Sequence, residues 1–288
     1  MVSFRTYTDT DYEPVCRFLI ELNRTDRSHV NWNWARFEWM YGHPYTDCSL
    51  LGSIGLWFEK ERVIGAALFD MYFGEAFCGV LPGYESLYPD VLSYAYDRMK
   101  DASGLAVSIE DGNTAEIAAA IRSGFAPIDQ FETVLKIVPH VAFPVVLPEG
   151  FSIASVDPKD CPERMQWLFW QGFDHGEDYE AFRKEPQVPP RPRAHFDRDL
   201  SLCAYSPDGV PVAYACLWKH PDTDYAYVEP VCTIPSTRRK GLAKALLCEA
   251  MNRVRTLGAK TVYVISDQDF YTSIGFSNAY HYTFYRKP

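Results

Sequence analysis

Three basic side chains in a row, Arg238, Arg239 and Lys240, run directly into Gly241, Leu242, Ala243 and Lys244. Tyr225 to Ile234, upstream, reads as a strand. From Gly241 to about Leu257 the chain reads as a helix, with Leu242, Leu246, Ala250, Val254 and Leu257 on one stripe. Gly258 is placed to end it. A helix that opens this way leaves several main-chain N–H groups without an internal partner, at the end where the dipole favours negative charge. Gly241 and Ala243 let the main chain come close to a ligand. The chemistry expected is anion binding, with a shape that suits a pyrophosphate.

Beyond the helix, Lys260 to Ile265 reads as a buried strand, followed by Asp269-Phe270-Tyr271-Thr272-Ser273-Ile274-Gly275-Phe276. At these residues the chain resembles the GNAT acyltransferases. The family's phosphate-binding signature, Arg/Gln-x-x-Gly-x-Gly/Ala, stands here as Arg238 to Ala243. Its closing motif, Phe-Tyr-x-x-x-Gly-Phe, stands as Phe270 to Phe276, with both motifs in order and at the right separation.

The resemblance implies transfer of an acetyl group from acetyl-CoA, the acyl-donor co-substrate, to a primary amine of a small molecule or peptide. Attack would be direct, within a ternary complex. Cys232, Thr233 and Ile234 would bond the pantetheine like an added strand, and Arg238, Arg239, Lys240, Gly241, Leu242, Ala243 and Lys244 would hold the pyrophosphate. The strand 231–234 is expected to splay from the strand 260–265 and open a slot for the thioester. Tyr271 is the expected acid for the departing thiolate. Glu229, with Pro230 beside it as a possible bulge, is expected to act as base or to hold the substrate ammonium. The sequence departs from the family at Val264 and Asp267, where asparagine and alanine are common; the link to Tyr271 is then shorter. The rival reading is a non-catalytic acyl-CoA-binding, sensing or interaction protein that keeps the fold; retention of Tyr271 favours the enzyme.

The chain that carries these residues looks duplicated. Phe4 to Leu22 reads as strand then amphipathic helix, and Phe151 to Phe169 repeats that scheme, with Asp160 and Glu163 spaced as a capping box. Gly55 to Phe69 and Leu202 to Trp218 both read as hairpins. Ile121-Arg122-Ser123-Gly124-Phe125 echoes Tyr271 to Phe276, but Ala120 stands where the tyrosine should be. Leu81 to Ser86 replaces the basic turn, with an acidic Glu85. The expected architecture is α+β: two tandem GNAT folds, each a mostly antiparallel sheet flanked by helices. A degenerate first unit would cover 1–140 and a catalytic second unit 150–288. Pro139, Pro144 and Pro148 would stiffen the connector.

A length of 288 residues accommodates two such units. The net charge of -10 argues against a nucleic-acid partner and favours cationic substrates. Met1 to Asp9 has no apolar signal core and no run has the length of a membrane span, so a cytoplasmic monomer or homodimer is expected. The eight cysteines have no Cys-x-x-Cys pair, which fits a reducing compartment, and Cys232 reads as a core or wall thiol. His43, His175 and His281 lack metal-ligand spacing, and no metal is expected. Residues 173–179 and 187–196 fall in the acceptor region. Arg191 and Arg193 there would bind an acceptor carboxylate or face water. Trp32, Trp34, Phe37, Trp39, Met40 and Tyr41 read as core or as an interface between the units.

Overall fold

The computed structural model describes residues 1–25, 27–176, 178–184, 191 and 193–288. The first half runs β1 (Val2–Thr6), α1 (Tyr12–Thr25), α2 (Trp34–Gly42), β2 (Gly55–Glu59), β3 (Arg62–Asp70), β4 (Tyr72–Val80), α3 (Tyr88–Met99), β5 (Leu105–Glu110), α4 (Thr114–Arg122) and β6 (Ala126–Ile137). The second half repeats this order element for element. It runs β7 (Ser152–Ser155), α5 (Pro162–Gly172), α6 (Tyr179–Phe182), β8 (Ser201–Tyr205), β9 (Pro211–Trp218), β10 (Tyr225–Thr233), α7 (Leu242–Thr256), β11 (Thr261–Ile265), α8 (Asp269–Thr272) and β12 (Ser277–Lys287). Both expected hairpins form, as β2–β3 and β8–β9. The connecting residues 138–150 contain neither helix nor strand.

All twelve strands belong to one sheet, ordered β1-β2-β3-β4-β5-β12-β6-β11-β10-β9-β8-β7. Pairing is antiparallel except at β4–β5 and β10–β11. The halves exchange their last strands. β12 lies against β5, with Tyr282 opposite Glu110, and β6 lies against β11, with Ile265 opposite Val134. The two exchanged strands then pair with each other along most of their length. Alternation places Tyr282 and Phe284 of β12 in the core, but most of the rest of this seam is half-buried or exposed, unlike the wholly buried β9.

Helices cover the sheet: α1 and α3 pack against β3, α3 also against β4, α5 and α7 against β9, and α7 also against β8 and β10. The α7 stripe is buried at Leu242, Leu246, Ala250 and Val254, worth about 2 kcal/mol for each leucine removed from water. Leu257 departs from the stripe; it is the C-cap residue and is exposed, because the helix ends at Thr256. The Asp160/Glu163 capping box does not form either. Pro162, which has no N–H to satisfy, takes the first helical position, and this makes Cys161 the N-cap. Asp157 instead caps the short turn before it, accepting from the Lys159 N–H at 3.1 Å.

Candidate active site

β10 ends at Thr233, a single 3-10 turn covers Pro235–Thr237, and α7 starts at Leu242. Between them the backbone turns through two left-handed residues, Arg239 (φ 62°) and Gly241 (φ 82°). The second position suits glycine, since a Cβ there meets no neighbour yet would force a strained φ. Gly241 offers α7 no side-chain cap. Among the described residues, no main-chain carbonyl engages the N–H groups of Arg239 to Lys244. The turn is therefore a concave set of free donors at a helix N-terminus, with the exposed Arg239, Lys240 and Lys244 around it. Arg238 is used differently. Its guanidinium donates to the Thr233 carbonyl at 3.0 Å, the Gly172 carbonyl at 3.2 Å and the Asp174 carboxylate at 2.8 Å, bracing the turn against the end of α5.

Upstream, β10 and β11 pair only at Tyr225–Thr261, Ala226–Val262 and Tyr227–Tyr263. Past Tyr227 the register of β10 on β9 shifts between Val228 and Val231, where the Glu229–Pro230 peptide is cis. β11 meanwhile continues to Ile265 against β6. The two strands part, and the slot between them leads toward the basic turn. Cys232 and Ile234 are buried beside it, and the Ile234 N–H is already bonded to the Val212 carbonyl at 3.0 Å. Cys232 packs on Gly172, and burial pushes its thiol up to about 12, as suits a wall residue.

Tyr271 sits in α8 with its ring edge-on to Phe270 and Phe276, at centroid distances of 5.0 and 5.6 Å. It is only 8% exposed. Burial pushes its phenol up to about 12, and the nearby Glu229 carboxylate adds to the effect. Glu229 is itself pushed up to about 7, chiefly by burial; Arg36 opposes the shift, Asp70 and Glu132 add to it, and the Tyr227 hydroxyl favours the ionised form. Its Oε2 has no hydrogen-bond partner among the described residues. The Glu229 charge thus acts on Tyr271, whose phenol holds its proton at neutral pH, while the Glu229 carboxyl is pushed up toward neutrality.

Arg36, Asp70 and Glu132 come from the other half and carry no local motif. Arg36 donates to Asp70 Oδ2 at 3.2 and 3.3 Å, to Glu132 Oε1 at 2.8 Å and to the Asn31 carbonyl at 2.8 Å. Only their pairing across the sheet could have revealed them.

The equivalent slot of the first half is closed. β4 and β5 pair only at Glu75–Ala106 and Ala76–Val107 before they part. Residues 27–32 lie across the gap: Trp32 stacks on Phe77 at 4.0 Å, and Asn31 Nδ2 donates to Ser108 Oγ at 2.9 Å. The cavity left is about 10 Å³, room for one water at most. In place of the basic turn, the Glu85 carboxylate itself accepts the Gly83 N–H at 2.8 Å.

Other expectations fare unevenly. Residues 185–190 and 192, including Gln187, Pro189, Pro190 and Pro192, and also Glu177, lie outside the described residues. Arg193 does not face water: its guanidinium packs 4.6 Å from the Trp39 ring and donates to the Gly42 carbonyl. Arg191 lies 4.8 Å over the Tyr41 ring, beside Asp9. Of the aromatic stretch, Trp32, Trp34, Phe37 and Met40 are buried, and Trp34 meets Trp218 of the other half edge-on at 6.3 Å. Cys16, Glu38 and His195 bring ligand-type atoms within 4.8 Å of one another, a grouping that sequence spacing does not show. There Glu38 accepts from the His195 main chain and ring at 2.7 and 2.6 Å.

Residues 163–276 match the model of the acetyltransferase (GNAT) family. No curated protein matches the sequence. Among solved structures, the chain is similar to a GCN5-related N-acetyltransferase from Sphaerobacter thermophilus (TM-score 0.58, 16% identity, 99% of this chain and 95% of that one). It is similar also to a tandem GNAT protein of the clavulanic acid biosynthesis pathway (0.59, 14%, 100% and 98%). A third similarity is to the N-myristoyltransferase of Saccharomyces cerevisiae (0.54, 13%, 99% and 79%). These likenesses carry the fold, and the family model carries the chemistry of the second half. Residues 163–276 form a GNAT acetyltransferase domain, which makes the protein an acyltransferase, and the chain as a whole carries the GNAT fold twice in tandem.

Proposed function

We infer that the protein transfers an acetyl group from acetyl-CoA to a primary amine of a small molecule or peptide, by direct attack in a ternary complex. The observation that carries this reading is the parting of β10 from β11, which opens onto the free N–H groups of residues 239–244. In this reading the turn holds the pyrophosphate, with Lys240 and Lys244 in reach of it, while Arg238 keeps the turn in shape. Cys232, Thr233 and Ile234 line the pantetheine. Glu229 takes a proton from the ammonium, the freed amine bonds to the thioester carbonyl carbon, the C–S bond breaks as Tyr271 gives its proton to the sulfur, and the second proton lost by the acetylated nitrogen restores the tyrosine. The cofactor is confined to the second half, because in the first the slot is filled by residues 27–32 and the turn by Glu85. Eight unpaired thiols suit a cytoplasmic setting.

Calorimetric titration of acetyl-CoA into wild type and Gly241→Glu tests this. One site in the wild type, lost in the variant, is the expected result. No binding in the wild type would refute the transferase reading, and a site surviving in Gly241→Glu would refute the assignment of the turn.

A further inference from the structure

Three side chains with zinc-type ligand atoms converge where the halves meet. Cys16 lies on α1, Glu38 on α2, and His195 in the segment that leads to β8. One ligand-type atom from each lies within 4.8 Å of the others. The 157 positions between Glu38 and His195 hide the grouping from any spacing motif. Cys16 and Glu38 are fully buried, and the His195 side chain is 18% exposed.

The surroundings complete a ligand set. His195 Nδ1 faces Glu38 Oε2 at 2.6 Å, while its Nε2 faces a different carboxylate, Glu13 Oε2, at 3.4 Å. A ligating histidine almost always donates its other ring N–H to a carboxylate, carbonyl or water, and Glu13 supplies that partner. Glu38 Oε1 accepts the His195 main-chain N–H at 2.7 Å, which fixes the orientation of the carboxylate. The imidazole is held between Tyr12, stacked at 6.3 Å, and Trp34, edge-on at 5.7 Å. The Tyr12 hydroxyl stands beside Cys16 and Glu38, buried and with no hydrogen-bond partner among the described residues. A water on the open position of a three-ligand ion would give it one.

We propose that Cys16 Sγ, Glu38 Oε2 and His195 Nδ1 bind one divalent cation of the zinc class. Thiolate, carboxylate and imidazole all suit zinc, and one thiolate with one carboxylate balances the two charges of the ion. Magnesium and calcium, which take oxygen ligands, do not fit sulfur and nitrogen. Binding displaces two protons to solvent, one from the thiol and one from between Nδ1 and Oε2. With bonds of about 2.0–2.2 Å, a tetrahedral ion parts Nδ1 and Oε2 to roughly 3.3 Å. The ion would tie α1 and α2 of the first half to the segment before β8 of the second, independently of the acyl-transfer reading.

The test uses Co²⁺ and Zn²⁺ on the full-length protein after chelator treatment and gel filtration. One equivalent of Co²⁺ should bind with a near-ultraviolet thiolate-to-cobalt absorption, and Zn²⁺ should displace it. Cys16→Ser should lose the band. His195→Gln should weaken Zn²⁺ binding, read against a chromophoric chelator, by roughly 100-fold or more, and Glu13→Gln, at a half-exposed position, by about 10–100-fold. No thiolate band in wild type would overturn the proposal, and so would a band that persists in Cys16→Ser. A Zn²⁺ affinity unchanged in both His195→Gln and Glu13→Gln would also overturn it, which decides the question even if Cys16→Ser does not fold.

Discussion

In the proposed mechanism Tyr271 and Glu229 divide acid from base because their surroundings push both upward from different starting points. A phenol raised to about 12 keeps its proton at neutral pH, and a carboxylate raised to about 7 is half ionised there. Tyr271→Phe should leave acetyl-CoA affinity within error and cut turnover roughly 10²–10⁴-fold; calorimetry and a free-thiol assay measure the two separately. The dependence of kcat/KM on pH should rise through about 7 as Glu229 loses its proton, and Glu229→Gln should abolish that limb. Stability should move the opposite way. A carboxyl whose folded pKa lies above its unfolded value binds its proton more tightly when folded. Its contribution is therefore full below the unfolded value of 4.5 and is lost as pH rises through about 7. Above that window Glu229→Gln should be the more stable protein, by on the order of 3 kcal/mol, as urea unfolding at pH 5 and pH 8 would show. Tyr271 was legible in the sequence because its motif is contiguous. The tuning of Glu229 was not, because Arg36, Asp70 and Glu132 lie in other elements.

At the scale of elements, the slot depends on α5 lying close against β10. Gly172 is the point of nearest approach: a Cβ there would come 2.7 Å from Cys232 Sγ and 2.8 Å from Cys232 Cβ. Gly172→Ala should therefore destabilise the protein by about 1–3 kcal/mol, read from urea midpoints. It should also weaken acetyl-CoA binding, since β10 is pressed toward the slot. The basic turn was readable from composition and order alone. The two left-handed residues that make it concave, and the occupation of Arg238 by the end of α5, were not: they depend on where a second helix stops.

The whole molecule is one sheet in which each half completes the other. Separate fragments 1–148 and 149–288 would each lose the neighbour of a fifth strand and leave an unpaired edge, a template for aggregation. Each fragment alone should fail to give a soluble monomer by gel filtration, and the second alone should not bind acetyl-CoA. The intact chain should unfold in a single urea transition with coincident fluorescence and circular dichroism curves. Two separated transitions would show that the exchanged strands couple the halves only weakly.

By itself the sequence determined what is local: the strand–turn–helix with its free donors, the Tyr271 motif, the order of elements repeated in each half, and the missing motifs of the first half. These follow from contiguous residue types, backbone preference and side-chain period. Tertiary structure alone decided which last strand completes which half, since an alternating pattern such as that of β6 or β12 satisfies either partner equally. It also decided that Arg36 meets Glu132 across 96 residues, in a network whose charges act on Glu229. A buried charge network is selected by three-dimensional packing and by the cost of leaving charge unpaired, and neither has a period along the chain.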